Sequence, residues 1–237
     1  MDNKGLIIFD LDGTILDSMQ LHATIFAQIL SERYGIAEEI SRTAYYHMSG
    51  YPLGHQFGHV IQDLEPVDAA RVNENVEDFY ARIRQHAPVL FPDVLPALQR
   101  LWKAGYVLVV CSGNAPDIVE QRLTLTGIKP YFTLWLGTDP AQGLVKGEAH
   151  FKILREHLSL SQEQFQGNSL SVGDARHDIQ VARSAGILSV GRVNMWNAAG
   201  LQEAQPDYLI ADFEELLQIL RDPQGGESEF RRVACLR

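Results

Sequence analysis

The stretch FDLDGTILDS, residues 9–18, decides how the whole chain is interpreted. The apolar run LIIF just before Asp10 predicts a buried strand, and two aspartates separated by one leucine follow it. In an extended segment, positions i and i+2 face the same side, so we expect Asp10 and Asp12 to share one space. Like charges repel, and burying them is costly unless a cation offsets them. The pair is either a solvated turn or one side of a site with a positive partner.

The rest of the chain alternates between two kinds of segment. Further short apolar runs predict strands at residues 106–112, 131–137, 169–174, 187–193 and 207–213. Segments with helical periodicity lie between most of them. This alternation predicts an α/β fold, a Rossmann-like core whose parallel sheet is covered by helices on both faces. Ligands of such sheets bind at the carboxyl ends of the strands, where Asp10 and Asp12 are expected to lie.

One interval, residues 17–87, contains no predicted strand. Its apolar residues recur with the period of a helix, as in Phe26, Ile29, Leu30 and Tyr34 or in Val72, Val76, Phe79, Tyr80 and Ile83. The interval is far too long for a simple crossover between strands. The sequence therefore predicts a helical cap over 17–87, a core over 1–16 and 88–222, and a C-terminal tail over 223–237.

Composition limits the partners that we expect. The formal net charge is −10, whereas a nucleic-acid surface needs clustered Lys and Arg, so no nucleic-acid partner is expected. No segment approaches the roughly 20 apolar residues of a membrane helix, and the first apolar run is too short for a signal peptide. The two cysteines, Cys111 and Cys235, cannot form a disulfide framework. We expect a cytoplasmic monomer or homodimer without a membrane partner.

Chemistry and position together narrow the interpretation of the aspartate pair. Paired carboxylates suit Mg²⁺, a hard cation that prefers oxygen ligands and keeps positions open for water and phosphate. Gly13 lets the backbone reverse directly after the pair. Placed after the first strand and before a helical insertion, DLDGT resembles the first motif of the haloacid dehalogenase superfamily of phosphohydrolases. The helical insertion resembles the cap of its phosphoglycolate-phosphatase-like and β-phosphoglucomutase-like branch.

Three further features of that superfamily occur in the same order. The serine after the second core strand is Ser112 in VVCSGN. The lysine that opens a later helix, often within G-x-x-K-G, is Lys146 in GLVKGEAHF. The Gly-Asp pair with a second Asp four residues later is Asp174 and Asp178 in VGDARHDI. Each feature is weak alone, but four in register make coincidence a poor explanation, and the resemblance extends from residue 6 to about residue 220.

The resemblance implies a Mg²⁺-dependent phosphatase that acts on a small phosphorylated metabolite. It makes Asp10 the nucleophile that forms an aspartyl-phosphate, and Asp12 the general acid and then the general base. Dehalogenating members carry no acid at the Asp12 position, because a halide needs no proton to leave. Lys146 would neutralise charge on the nucleophile and on the transferring group.

The resemblance also implies which residues bind the metal and which bind the phosphoryl group. Asp178 would support the metal through water or orient Lys146. The metal ligands are Asp10, the backbone carbonyl of Asp12, and Asp174. The phosphoryl oxygens would be held by Ser112, Gly113, Asn114 and Lys146.

Substrate choice in this superfamily comes largely from the cap. Residues 47–60, HMSGYPLGHQFGHV, resemble the G-x-P-L-R segment of the phosphoglycolate-phosphatase-like members, with Gly54 where arginine is common. We expect His47, Tyr51 and His55 to line the substrate pocket. Two alternatives stay open: a sugar phosphomutase of the same superfamily, and a non-catalytic ligand-binding or regulatory protein on this fold.

Overall fold

The structure is a computed structural model that describes residues 4–62, 66 and 68–220. The predicted tail over 223–237 lies outside the described residues. The strands are β1 (Leu6–Phe9), β2 (Val107–Cys111), β3 (Leu134–Leu136), β4 (Ser169–Gly173), β5 (Leu188–Arg192) and β6 (Tyr208–Ile210). They form one sheet in the order β3–β2–β1–β4–β5–β6, and every neighbouring pair is parallel. The predicted α/β fold with a parallel, Rossmann-like sheet is confirmed.

Four α-helices follow β1 in the interval predicted to be a cap. They are α1 (Met19–Tyr34), α2 (Glu38–His47), α3 (Leu53–Ile61) and α4 (Ala69–Ile83). Their inner faces pack on one another: the ring of Phe26 stacks on Phe57 with centroids 4.4 Å apart, and Phe79 lies edge-on to Phe57. This aromatic cluster is separate from the two clusters that cover the sheet. The division at residues 16/17 and 87/88 stays a prediction.

Seven α-helices follow in the rest of the described chain. They are α5 (Val94–Lys103), α6 (Pro116–Leu125), α7 (Glu148–His157), α8 (Gln162–Asn168), α9 (Arg176–Ala185), α10 (Ala198–Ala204) and α11 (Phe213–Ile219). One apolar cluster includes Phe9, Leu98 and Leu216, and the other includes Ile8, Phe151 and Phe165. Because neighbouring residues of a strand face opposite sides, Ile8 and Phe9 anchor β1 to different helix layers.

The central position of β1 places the candidate residues together. Phe9 is paired with Val110 of β2 on one side and with Val172 of β4 on the other. The three strands therefore end at one edge of the sheet. The polar residues that follow them, among them Asp10, Ser112 and Asp174, are delivered to that edge.

A buried ion pair links β5 to the start of α5. Arg192 donates to both carboxylate oxygens of Asp93, at 2.9 and 2.8 Å, and its guanidinium carbon lies 4.0 Å from the ring centre of Phe91. The backbone N–H of Phe213 also donates to Asp93, at 2.8 Å. The side chain of Arg192 is 4% exposed and that of Asp93 17%. We call this the Asp93–Arg192 pair.

Within the part of the chain that the structure describes, no helix combines the length and the apolar character needed to cross a bilayer.

Candidate active site

Asp10 lies at the end of β1 in a nearly closed environment. Its backbone N–H donates to the carbonyl of Val172 at 2.8 Å, which continues the ladder between β1 and β4. Lys146 reaches it from the loop before α7: the Lys146 ammonium contacts Asp10 Oδ1 and lies 2.6 Å from Asp178 Oδ1. The Lys146 side chain is 8% exposed. One buried cation therefore bridges two carboxylates.

Asp174 faces the same space from the end of β4. Thr14 Oγ1 donates to Asp174 Oδ1 at 3.5 Å, but Asp174 Oδ2 is buried and has no hydrogen-bond partner among the described residues. Gly13 adopts a φ of +79°, and a Cβ on it would overlap the Asp174 carboxylate. The glycine is therefore required both for the turn and for the close approach of Asp174. An unpaired buried carboxylate oxygen requires a cationic or donating partner.

Asp178 lies one helical turn beyond Asp174, at the start of α9. Its Oδ2 accepts from the backbone N–H of Ala175 at 3.0 Å, so the same side chain caps the helix and holds Lys146. A Cβ at Gly173 would overlap the Asp178 side chain. The local sequence VGDARHD therefore packs two carboxylates against backbone.

The carboxylate of Asp12 contacts a different set of side chains from that of Asp10. Ser18 Oγ donates to Asp12 Oδ1 at 2.5 Å, and Asn114 Nδ2 donates to Asp12 Oδ2. His22 Nε2 lies 3.7 Å from Asp12 Oδ1. Both oxygens of Asp12 are thus fixed by hydrogen bonds, one from Ser18 just before α1 and one from the loop after β2.

The loop after β2 supplies Ser112, Gly113 and Asn114, which line the same cavity as Asp10. Ser112 is 2% exposed, and its Oγ accepts from the backbone N–H of Asn114 at 3.2 Å. The amide of Asn114, predicted to bind a phosphoryl oxygen, is thus directed at Ser112 Oγ, and its side-chain amide is directed at Asp12.

The crowded carboxylates perturb one another. Burial raises the pKa of Asp10 to about 7; the charge of Asp178 adds to this and Lys146 opposes it. Burial, together with the charges of Asp10 and Asp178, raises the pKa of Asp174 well above its ordinary value. Burial alone would lower the pKa of Lys146, but the charges of Asp10 and Asp178 outweigh it and raise that pKa. The Lys146 ammonium therefore stays charged. Its single positive charge does not balance the three buried carboxylates around it.

These side chains line a cavity of about 60 Å³ between the sheet edge and helices α1–α4. Tyr51, one of the three residues predicted to line the substrate pocket, belongs to its wall. The other two predicted pocket residues lie elsewhere. His47 lines a second cavity, of about 470 Å³, which also reaches Asp174 and Tyr51. His55 is exposed and lines a third cavity, beside Gly54 and His59.

Sequence reasoning missed part of the cap wall, notably His22, Tyr45 and Gln56. His22 is 3% exposed and lies on the apolar stripe of α1 that also contains Phe26. A polar side chain on the buried stripe of an amphipathic helix was the signal that could have found it.

Known proteins share this arrangement of elements. The sequence model of the haloacid dehalogenase-like hydrolases matches residues 7–191, which is most of the chain. The chain belongs to this family. A phosphoglycolate phosphatase from Pectobacterium atrosepticum is 30% identical over 231 residues, which cover 95% of this chain and 96% of that protein. One from Salmonella typhimurium is 26% identical, with 98% of each chain covered.

Solved structures agree on the fold. A haloacid dehalogenase-like hydrolase from Streptococcus pneumoniae superposes with a TM-score of 0.73 at 22% identity, over 90% of this chain and 97% of that one. The family predicted from the four motifs is confirmed, and the chain is a hydrolase.

The acidic cluster, which we define as Asp10, Asp174, Asp178 and Lys146, fits a divalent cation. One oxygen from each of the three aspartates lies within 4.8 Å of the others. All candidate ligands are oxygens, which hard cations prefer. Asp174 Oδ2, buried and unpaired, is the atom that most requires a positive partner.

Proposed function

We propose that the chain is a Mg²⁺-dependent phosphatase that transfers the phosphoryl group of a small phosphate ester to Asp10 and then to water. By class it is a phosphate-monoester hydrolase of the haloacid dehalogenase-like family. One observation carries the proposal: the carboxylates of Asp10 and Asp12 open into one cavity, and Lys146 contacts Asp10 directly. A nucleophile, an acid–base group and a cation are thereby gathered where a phosphoryl group would react.

In the first step, a carboxylate oxygen of Asp10 attacks phosphorus, and the bond from phosphorus to the leaving oxygen breaks. Asp12 donates a proton to that oxygen, so the alcohol leaves neutral. In the second step, Asp12 takes a proton from water, whose oxygen attacks the phosphorus of the aspartyl-phosphate. Inorganic phosphate leaves and Asp10 is regenerated. General acid–base help of this kind contributes about 10²–10⁴-fold.

Lys146 serves both steps through charge. Its ammonium contacts Asp10 and is fixed by Asp178 at 2.6 Å, so it is already oriented before substrate arrives. Preoriented charge of this kind stabilises the transition state without reorganisation. Ser112, Gly113 and Asn114, which line the same cavity, would bind the phosphoryl oxygens.

Mg²⁺ would be held by Asp10, by the backbone carbonyl of Asp12 and by Asp174, with Asp178 supporting it through water. When bound, the ion supplies positive charge that offsets the carboxylates and polarises the phosphoryl group. The unpaired Asp174 Oδ2 supports this assignment.

The test is hydrolysis of 4-nitrophenyl phosphate by the purified chain. We expect turnover that requires Mg²⁺, disappears on chelation and is lost in Asp10→Asn. Asp117→Asn is a matched control, because Asp117 is exposed on α6 and pairs with Arg84; it should keep turnover within about twofold. Mg²⁺-independent turnover, or an active Asp10→Asn variant, would contradict the proposal.

A further inference from the structure

The cavity of about 60 Å³ that contains Asp10 and Asp12 differs in charge between its cap side and its core side. Every charged group that lines it comes from the core: Asp10, Asp12, Asp174, Asp178 and Lys146. The wall formed by α1–α4 and their connections offers aromatic, aliphatic, hydroxyl, imidazole and amide groups. Among the described residues, no arginine or lysine of residues 17–87 reaches this cavity.

Four arginines of the cap pair with acidic groups outside the cavity. Arg33 binds Asp78, Arg42 binds Glu38, Arg82 binds Glu32 and Arg84 binds Asp117. The core residue Arg122 is buried, but it donates to the carbonyl of Ile83 at 3.2 Å and is not part of the cavity wall. A leaving group bound against the cap wall of this cavity therefore meets no arginine or lysine from the described residues of the cap.

Gln56 of α3 gives this wall a hydrogen-bond acceptor that has no donor among the described residues. Its Nε2 donates to the carbonyl of Tyr51 at 2.8 Å, and this bond fixes which end of the amide is oxygen, because a carbonyl can only accept. Gln56 Oε1 is then buried without a partner, in a residue 5% exposed. Such an acceptor costs stability until a donor reaches it. His22 Nε2, also buried and without a hydrogen bond, lies on the same wall.

We propose that the leaving group is a small neutral alcohol with a second hydroxyl group, which donates a hydrogen bond to Gln56 Oε1. The substrates are then monophosphates of polyols or sugars. Esters whose leaving group carries a carboxylate or a second phosphate are disfavoured, because those groups only accept hydrogen bonds and would face the Gln56 oxygen without a cation. This inference rests on the proposed phosphatase activity.

A pair of substrates that differ in one group tests it. In 2-phosphoglycolate a carboxylate stands where 2-hydroxyethyl phosphate has a hydroxymethyl group. We expect kcat/KM to be at least about tenfold higher for 2-hydroxyethyl phosphate. Equal values, or a preference for 2-phosphoglycolate, would overturn the inference, and so would a preference for phosphoethanolamine. If 4-nitrophenyl phosphate is also inert, it is the proposed function that fails.

A substitution at Gln56 tests whether this residue causes the preference for a second hydroxyl group. Ethyl phosphate lacks the second hydroxyl, so the ratio of kcat/KM for 2-hydroxyethyl phosphate to that for ethyl phosphate isolates the hydroxyl contact. We expect Gln56→Met to lower this ratio about tenfold. Gln62→Met, at the exposed end of the same helix, should leave it unchanged. A ratio that Gln56→Met does not change would overturn the role of Gln56.

Discussion

Two buried groups of charges lie at the same edge of the sheet, and they differ in balance. In the Asp93–Arg192 pair one carboxylate meets one guanidinium, and Asp93 also accepts from the backbone of Phe213. In the acidic cluster three carboxylates share one ammonium, and one buried oxygen has no partner. The first arrangement is complete around its carboxylate. The second requires a further positive charge.

This difference in charge balance predicts which substitutions lower stability and which lower activity. Removing one partner of a balanced buried pair leaves a charge uncompensated, so it destabilises the fold. Removing one of several crowded like charges relieves repulsion, so it spares the fold while it destroys the chemistry. The two groups should therefore respond in opposite ways to the same kind of substitution.

The largest effect is expected from Asp10→Asn. Loss of the nucleophile should lower turnover by on the order of 10⁴-fold or more. The melting temperature should not fall, because the substitution removes one of the buried negative charges. Turnover and thermal unfolding of the same preparation check both statements. A variant that unfolds at a lower temperature would contradict this, because it would show that Asp10 stabilises the fold as Asp93 is expected to do.

Lys146→Met should lower turnover by about 10²–10³-fold, the usual cost of removing one preoriented charge-stabilising group. It also leaves Asp10 and Asp178 buried without their ammonium, so some loss of stability is expected. Lys152→Met on the exposed face of α7 is the matched control and should match the wild type. Equal losses in the two variants would remove Lys146 from the mechanism.

Asp93→Asn should show the reverse pattern. We expect the free energy of unfolding to fall by about 3 kcal/mol, measured by denaturant titration, with kcat changed less than about twofold. Glu214→Gln breaks an exposed pair with Arg100 and should cost less than about 1 kcal/mol. A large loss of kcat in a folded Asp93→Asn protein would show that the two charge groups are not separate.

The smallest effect is expected from metal alone. Mg²⁺ at about 100 times its dissociation constant should raise the free energy of unfolding by about 2.7 kcal/mol. Asp174→Asn should abolish the rise, whereas Asp93→Asn should keep it. A rise that survives in Asp174→Asn would place the cation elsewhere.

The core was largely predictable because its signals are contiguous. Each strand is a short apolar run, so the alternation alone placed Asp10 and Asp174 at one edge of the sheet. Lys146 and Asp178 were placed by the resemblance to the haloacid dehalogenase motifs. The cap wall was not predictable in the same way. His55 and Gln56 are neighbours in sequence, yet one is exposed and the other buried, because one residue is about 100° of rotation on a helix. Which face meets the core depends on how four helices pack.

The central claim is that Asp10 carries the phosphoryl group, and Asp12→Asn tests it most directly. An aryl phosphate needs no proton on its leaving group, but breakdown of the intermediate needs the base. With 4-nitrophenyl phosphate we predict a burst of about one nitrophenolate per protein, then slow turnover, and a phosphoryl group on the Asp10 peptide after acid quench. Steady release without a burst, or a phosphoryl group on another residue, would contradict the account.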